Sequence, residues 1–156
     1  MDVKVQEIHK ELDLIQSCIT RMASNSFLIK GWTYASIGIL VGLLANAKVE
    51  AYIIGLVGIP LLISFWWLDA FFLATEKKFR QKYAWVLMER PKGNREFLYD
   101  LIPYKDKMIA KPESLKSATV IASMFSRPCT LLVFYGIPVL VALVPVIMKI
   151  AAHLKT

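Results

Sequence analysis

Long apolar runs alternate with charged segments along this chain, and the alternation predicts where the chain crosses a membrane. Residues 31–47, 51–68 and 128–148 contain no charged side chain. A helix of about 17–25 apolar residues is long enough to cross the roughly 30 Å hydrocarbon core of a bilayer. We therefore predict an all-α integral membrane protein with three transmembrane helices.

The composition argues against an ordinary soluble domain. Hydrophobic residues make up 56% of the 156 residues, and charged residues make up 20%. Soluble domains contain about 45–50% apolar and about 25% charged residues, so too little polar sequence remains here to coat three buried helices. The first apolar run is not expected to be a signal peptide, because a charged segment precedes it and a second run follows directly.

The distribution of basic residues predicts the orientation in the membrane. Sixteen of the 19 Lys and Arg residues lie before the first apolar run or between Glu76 and Arg127, and three lie elsewhere. Loops rich in Lys and Arg stay on the cytoplasmic side of a membrane. We therefore predict a bacterial inner-membrane protein whose N-terminus and long loop are cytoplasmic and whose C-terminus is outside.

The pattern divides the chain into four parts. Residues 1–26 are predicted to form an amphipathic cytoplasmic helix, and residues 27–75 a transmembrane hairpin of two spans. Residues 76–117 are predicted to form a basic, helical cytoplasmic region, and residues 118–150 the third transmembrane helix.

Two local signals predict where the helices are interrupted. The polar residues 24–26 could loosen the N-terminal helix or cap a new one, since Ser and Asn are favoured at helix N-termini. The helix of the second span is expected to continue into the cytoplasm. Pro91 and Gly93 should then end it, because proline removes a backbone donor and glycine readily leaves the helical conformation.

Apolar residues of the N-terminal part recur in a heptad pattern. Their intervals alternate between three and four residues, which is typical of a coiled-coil seam. One interpretation is a cytoplasmic bundle of helices from several subunits, which would set the oligomeric state. The alternative is an amphipathic helix that packs on the protein's own long loop or lies on the membrane surface. The seam consists of Val5, Ile8, Leu12, Ile15, Ile19 and Met22.

Asp69 lies in an aromatic and aliphatic segment, FWWLDAFFLATEKKFR (65–80). At about 1.5 Å per residue, the second span returns Asp69 to the cytoplasmic interface, near the depth of Lys30. A charge in lipid needs a partner or water. Three interpretations stay open: Asp69 pairs with Lys30 and holds the hairpin closed, it lines an aqueous vestibule that selects cations, or it pairs with Arg80 or with another subunit.

The basic residues that follow the second span form a candidate binding site for an anion. Each Lys or Arg near an anionic membrane surface contributes about 1 kcal/mol, so anionic lipid is the expected ligand. A nucleotide signal is the alternative. The candidate residues are Lys77, Lys78, Lys82, Arg90, Lys92, Arg95, Lys105 and Lys107.

The sequence contains no catalytic motif that we can identify. A Gly-rich phosphate loop, an HExxH segment and a GxSxG segment are all absent. Cys18 and Cys129 are predicted to be free thiols, and with His9 and His153 they show no metal-ligand spacing. We therefore expect a protein that is not an enzyme and that holds no metal or cofactor.

Two segments, RMASNSFLIKGW (21–32) and FWWLDAFFLATEKKFRQKY (65–83), are similar to a pattern of small bacterial membrane proteins in which an N-terminal helix leads into a two-span hairpin. The organisation resembles the SLATT-type group of membrane effectors and the Hailong-type channels of antiphage defence. The resemblance implies a pore that opens when a nucleotide-generating or sensing partner acts. It implies an architectural role in the hairpin for the motif positions Lys30, Trp32, Asp69 and Arg80.

Two functions are compatible with these predictions. The first is an oligomeric channel or pore effector of a bacterial antiphage defence system, gated by a cytoplasmic signal and acting by membrane depolarisation. It would assemble from four or more copies in the bilayer. The resemblance implies a nucleotide or oligonucleotide signal and a soluble nucleotidyltransferase or sensor as partner. The alternative is a non-conducting membrane anchor or adaptor that recruits a soluble defence partner.

Overall fold

The computed structural model describes residues 3–45, 49–102, 119–125 and 130–154. Within these ranges every regular element is a helix, which confirms the all-α class. The predicted binding residues Lys105 and Lys107, and also Cys129, lie outside the described residues. The helices are α1 (Val3–Ala45), α2 (Ala51–Glu89), α3 (Val120–Met124) and α4 (Thr130–His153).

Helices α1, α2 and α4 are long and apolar enough to cross a membrane, as the hydrophobic pattern predicts. Their apolar stretches leave large side chains exposed on all three helices. A soluble monomer rarely exposes contiguous apolar surface of this extent, whereas lipid is the natural solvent for it. The exposed side chains include Trp32 and Ile39 on α1, Leu56 and Val57 on α2, and Leu140 and Val141 on α4.

Helix α1 continues without interruption through residues 24–26, where the sequence indicated a possible break. Ser and Asn weaken a helix by only a fraction of a kcal/mol each, so the residues on both sides of this segment keep it helical. Helix α2 ends at Glu89, two residues before Pro91, as expected. The chain then turns at Gly93, whose φ of +83° lies in the left-handed region that glycine adopts without strain.

The chain divides into two compact units. The first, which we call the charged unit, comprises Met1–Ser26 and Phe71–Ser123. The second, the apolar unit, comprises Phe27–Ala70 and Met124–Thr156. Helices α1 and α2 both contribute residues to each unit.

The charged unit has a hydrophobic core formed by α1 and α2. Ile15, Cys18 and Ile19 of α1 are buried there. Side chains at these intervals share one helical face, so α1 presents a continuous apolar stripe to α2. The residues of α2 in this core are Phe79, Trp85 and Val86.

Four of the six predicted seam residues pack in this core. Ile15 and Ile19 are fully enclosed, and Leu12 and Met22 pack against them. Their contacts are with Phe79, Trp85 and Val86 of α2, inside the predicted cytoplasmic region 76–117 of the same chain, which corresponds to the packed-helix alternative. Val5, which is 39% exposed, retains surface for other contacts. Packing within one chain is therefore enough to explain the burial of these residues, and a seam between subunits stays a prediction.

Candidate functional site in the apolar unit

One face of each long helix lines the interior of the apolar unit. The positions on each face are three, four or seven residues apart, so each series stays on one side of its helix. Each series contains at least one polar or charged position near one end. The faces are Lys30, Thr33, Ile37 and Leu40 on α1; Gly55, Gly58, Leu62 and Asp69 on α2; and Leu131, Tyr135, Pro138 and Ala142 on α4.

Helices α2 and α4 approach each other closely at Gly55. A Cβ atom at this position would lie 2.5 Å from the backbone oxygen of Ala142 and 2.8 Å from Cγ2 of Val146. Small residues allow helix backbones to come this close in membrane proteins. At Gly58 the nearest atom to such a Cβ would be Cδ1 of Leu40, at 3.2 Å, so α1 packs against the same face of α2.

Asp69 binds side chains from both neighbouring helices. Its Oδ2 atom lies 2.6 Å from Nζ of Lys30 on α1. The hydroxyl of Tyr135 on α4 donates a hydrogen bond of 3.0 Å to the same oxygen. Tyr135 also lies within hydrogen-bonding reach of the Thr33 side chain, and the Thr33 hydroxyl donates to the carbonyl of Ile29 at 2.8 Å. One carboxylate therefore connects all three long helices. We call Lys30, Thr33, Asp69 and Tyr135 the carboxylate cluster.

The carboxylate cluster is almost completely enclosed. Thr33, Asp69 and Tyr135 have no exposed surface. Of the four side chains, Lys30 alone keeps access to the surroundings, with 32% of its side chain exposed. A buried carboxylate requires a positive partner and hydrogen bonds, and this carboxylate has both. The structure thus contains the Lys30–Asp69 ion pair, which is the first of the three interpretations of Asp69.

Aromatic rings pack around the cluster. The ring of Trp66 stacks on that of Tyr135, with centroids 6.3 Å apart and planes 9° from parallel. Phe134 contacts Tyr135 edge-on at 4.9 Å, and Tyr34 contacts Phe134 at 5.0 Å. Aromatic pairs of this geometry add about 0.5–1.5 kcal/mol beyond their burial. They hold the Tyr135 ring, and thus its hydroxyl, against Asp69.

Arg80, the other predicted partner of Asp69, forms an ion pair on its own helix. Its Nη2 atom lies 2.6 Å from Oε1 of Glu76, one turn away. The Arg80 side chain is 64% exposed, and exposed pairs at this spacing contribute only about 0.3–0.5 kcal/mol. Lys30 and Asp69 are thus the members of the predicted ionic group that the structure brings together.

Several of the predicted anion-binding residues are engaged within the charged unit. Lys92 pairs with Glu89 at 2.6 Å, and Arg95 pairs with Glu7 at 2.5 Å. Two lysines donate longer hydrogen bonds to neutral oxygens: Lys77 to Oγ of Ser123 at 3.4 Å, and the buried Lys82 to the carbonyl of Ile102 at 3.4 Å. The Lys78 side chain is half-buried.

Arg90 forms the most extensive of these contacts. Its Nε and Nη2 atoms each lie 2.7 Å from one oxygen of Glu11, and both residues are buried. Its Nη1 atom donates to the carbonyls of Asn94 at 2.7 Å and Glu96 at 3.1 Å. The backbone N–H of Tyr99 donates to the Glu11 carboxylate at 3.3 Å. Arg90 therefore fixes the turn after α2 onto α1, and its charge is already compensated.

Sequence reasoning did not single out Tyr135 or Glu11. The signal for Tyr135 was a hydroxyl within an otherwise aliphatic run, at the cytoplasmic end of the predicted third span. The signal for Glu11 was its place four residues before Ile15, on the edge of the heptad seam. Neither signal names a partner, because Asp69 and Arg90 are distant in the chain.

The described residues contain no group of three His, Cys, Asp or Glu side chains that could hold a metal ion. No family model matches the sequence, and neither the curated proteins nor the solved structures include a significant match to it.

Proposed function

We propose that this protein is the channel subunit of an oligomeric inner-membrane pore of a bacterial antiphage defence system, and that the carboxylate cluster holds the pore closed. The observation that carries the proposal is the enclosed carboxylate of Asp69, bound by Lys30 from α1 and Tyr135 from α4. Ionisable groups within membrane segments are rare and mark ion pathways or gates by default. The resemblance to SLATT-type and Hailong-type effectors supports the defence context.

The geometry of the cluster supports a closed resting state. Lys30 and Tyr135 use the same Asp69 oxygen, so the two contacts hold α1 and α4 against α2 at one level. A channel opens when its spanning helices separate or rotate. In this proposal such a movement breaks the contacts of Lys30 and Tyr135 with Asp69. Water then reaches the Asp69 carboxylate, which is enclosed in the resting state.

The charged unit is the proposed receiver of the signal. The excess of basic residues in the long loop and before the first apolar run supports a cytoplasmic location for both. Helices α1 and α2 are continuous and contribute residues to both units, and a rigid helix is a physical path for coupling between sites. A nucleotide, an oligonucleotide or a soluble sensor that prefers one state of the charged unit would then shift the closed-to-open equilibrium.

The experiment is conductance of purified protein in planar bilayers, with wild type compared to Asp69→Asn. The substitution keeps the shape of the side chain and removes the charge that Lys30 binds. We expect rare openings for wild type without a signal and an open probability at least about tenfold higher for Asp69→Asn, which corresponds to about 1.4 kcal/mol. The matched control is Glu89→Gln, which removes a carboxylate paired with Lys92 near the end of the same helix and should conduct like wild type.

The second candidate is a non-conducting membrane anchor. The observation that favours it is the charged unit, which has its own core and its own buried ion pair and so could serve as a docking platform. Native mass spectrometry in mild detergent separates the two. Four or more copies around an axis support the channel. A monomer or dimer that shows no conductance, for wild type and for Asp69→Asn alike, rejects the channel and leaves the anchor.

A further inference from the structure

A crevice of about 200 Å³ lies between α1, α2 and α4 in the apolar unit. Aliphatic side chains, glycine and proline line it, and no polar side chain of the described residues does. Along α2 it extends from Ala51 to Leu62, which is about 16 Å at 1.5 Å per residue. Leu44 of α1 and Val141 of α4 lie on its other walls. Its length and lining suit an extended hydrocarbon chain.

The crevice leads into a second, wider groove at the end of the helices opposite to the carboxylate cluster. Ala51 and Pro145 line both cavities, so the two adjoin. The wider groove is also lined by Glu50, Tyr52 and Lys149. The apolar crevice therefore ends at a charged opening, the wider groove, which we call the mouth. An apolar cavity with a few polar groups at one end suits an amphiphilic ligand.

The two charges at this mouth are of opposite sign and stand side by side. Nζ of Lys149 lies 3.0 Å from Oε2 of Glu50 and 4.9 Å from the centre of the Tyr52 ring. Both charged side chains are at least half exposed, at 50% and 63% respectively. Each charge thus keeps a free side for a ligand. A headgroup that carries both a negative and a positive charge would complement them.

We propose that this site binds one zwitterionic phospholipid, with an acyl chain in the crevice and the headgroup at the mouth. The phosphate would accept hydrogen bonds from Lys149, and the headgroup ammonium would bind Glu50. Phosphoethanolamine fits best, because its primary ammonium donates hydrogen bonds to a carboxylate. A lipid with net negative charge would satisfy Lys149 and meet repulsion from Glu50. The proposal needs only that the three helices lie in a bilayer, and it does not depend on conduction.

The test uses the full chain reconstituted in vesicles of equal parts phosphatidylethanolamine and phosphatidylglycerol. The protein is then extracted in mild detergent, and the lipids that stay bound are counted by native mass spectrometry. We expect wild type to retain phosphatidylethanolamine over phosphatidylglycerol by about fivefold, the ratio for one near-surface charge contact. Glu50→Gln should abolish or reverse this preference, because it leaves the positive charge of Lys149 without its neighbour.

A steric variant tests the crevice separately from the mouth. Val141→Trp places a large ring at a crevice position that is 66% exposed, and it should lower lipid retention at least fivefold. The matched control is Val144→Trp, at a position on the same helix that is 53% exposed and lines neither cavity. Helix content from circular dichroism shows that each variant is folded.

The proposal is overturned if Val141→Trp and Val144→Trp retain equal amounts of phosphatidylethanolamine, or if Glu50→Gln leaves the lipid ratio of wild type unchanged. If Val141→Trp does not fold, the lipid ratio of Glu50→Gln decides alone. Preferential retention of phosphatidylglycerol by wild type would also overturn it, and would identify a general attraction of anionic lipid to the basic chain.

Discussion

The hydroxyl of Tyr135 and the ammonium of Lys30 bind the same oxygen of Asp69, at 3.0 and 2.6 Å. The Lys30 contact joins α1 to α2, and the Tyr135 contact joins α4 to α2. A carboxylate that would be unfavourable in lipid is thereby neutralised and hydrogen-bonded. The same contacts hold the three long helices of the apolar unit together at one level.

Tyr135→Phe isolates the contribution of the Tyr135 hydroxyl. The ring and its stacking on Trp66 are kept, and the hydrogen bond to Asp69 is lost. Hydrogen bonds to charged groups contribute about 1.5–3 kcal/mol in soluble proteins, whereas side-chain hydrogen bonds within membranes average about 0.6 kcal/mol. We expect a loss of about 1 kcal/mol, or a fall in Tm of about 2–4 °C in detergent, followed by tryptophan fluorescence.

Tyr34→Phe is the control for this substitution. Tyr34 is 63% exposed and its ring contacts Phe134. Loss of an exposed hydroxyl should change Tm by less than about 2 °C, since exposed substitutions usually stay within about 0.5 kcal/mol. Equal Tm values for the two variants would mean that the hydrogen bond to Asp69 contributes nothing to stability.

Removing Lys30 and removing Asp69 are expected to lower the free energy of unfolding by different amounts. Lys30→Gln leaves the enclosed Asp69 carboxylate without its positive partner, and breaking a buried pair in this way costs about 3–5 kcal/mol. Asp69→Asn leaves Lys30, whose side chain is 32% exposed and can turn towards the interface. We expect a loss of about 1–2 kcal/mol there. Chemical unfolding in mixed micelles measures both values.

The double variant of Lys30→Gln and Asp69→Asn supplies the internal control. It carries no uncompensated charge, so it should be more stable than Lys30→Gln alone, with a coupling energy of about 1–3 kcal/mol. An Asp69→Asn variant less stable than Lys30→Gln would contradict the burial asymmetry between the two side chains.

The loss of stability caused by each Gly→Ala substitution should depend on the free space around the added methyl group. Gly55→Ala places a methyl group 2.5 Å from the backbone oxygen of Ala142, which cannot move without shifting α4. Overpacking of this kind costs about 1–3 kcal/mol. At Gly58 the obstacle is the flexible end of the Leu40 side chain, at 3.2 Å, so the loss should be smaller. Thermal unfolding of the variants in one detergent ranks them.

Gly38→Ala is the control for this series, because nothing lies within 4 Å of its added methyl group. Alanine is favoured over glycine in a helix by up to about 1 kcal/mol, so this variant should be as stable as wild type or more stable. The close approach of α2 and α4 is refuted if Gly55→Ala is as stable as Gly38→Ala.

Arg90→Lys should destabilise the charged unit although it keeps the charge. The guanidinium binds both oxygens of Glu11 and two backbone carbonyls, and an ammonium group cannot reproduce this planar, two-pronged contact. We expect a loss of about 2–4 kcal/mol. We also expect faster hydrogen exchange over residues 94–100, because Phe97 and Tyr99 have φ of 58° and require their surroundings to hold them.

The matched control is Arg95→Lys in the exposed pair with Glu7. The Arg95 side chain is 58% exposed, and exposed ion pairs contribute about 0–1 kcal/mol. Its unfolding free energy should stay close to that of wild type. If the two Arg→Lys variants lose the same free energy, the buried contact of Arg90 with Glu11 does not hold the turn.

Hydropathy alone determined the class of this protein and its three long apolar helices. Uncharged runs long enough to cross a bilayer have few alternatives to the helix, because a helix satisfies every backbone hydrogen bond locally. The pairing of Lys30 with Asp69 was also within reach of the sequence, as one of three interpretations. Counting residues along two antiparallel spans places both side chains at the same depth.

Only the tertiary structure decided which face of each helix meets which. Tyr135 binds Asp69, 66 residues away, and Glu11 binds Arg90, 79 residues away. No periodicity in the sequence predicts a contact between residues so far apart. The heptad seam had three possible apolar partners: another subunit, the same chain or the membrane surface. Within the chain, α2 covers Ile15 and Ile19. Apolar contact is non-directional, so a pattern of apolar residues predicts that a face is covered and leaves the covering element to the fold.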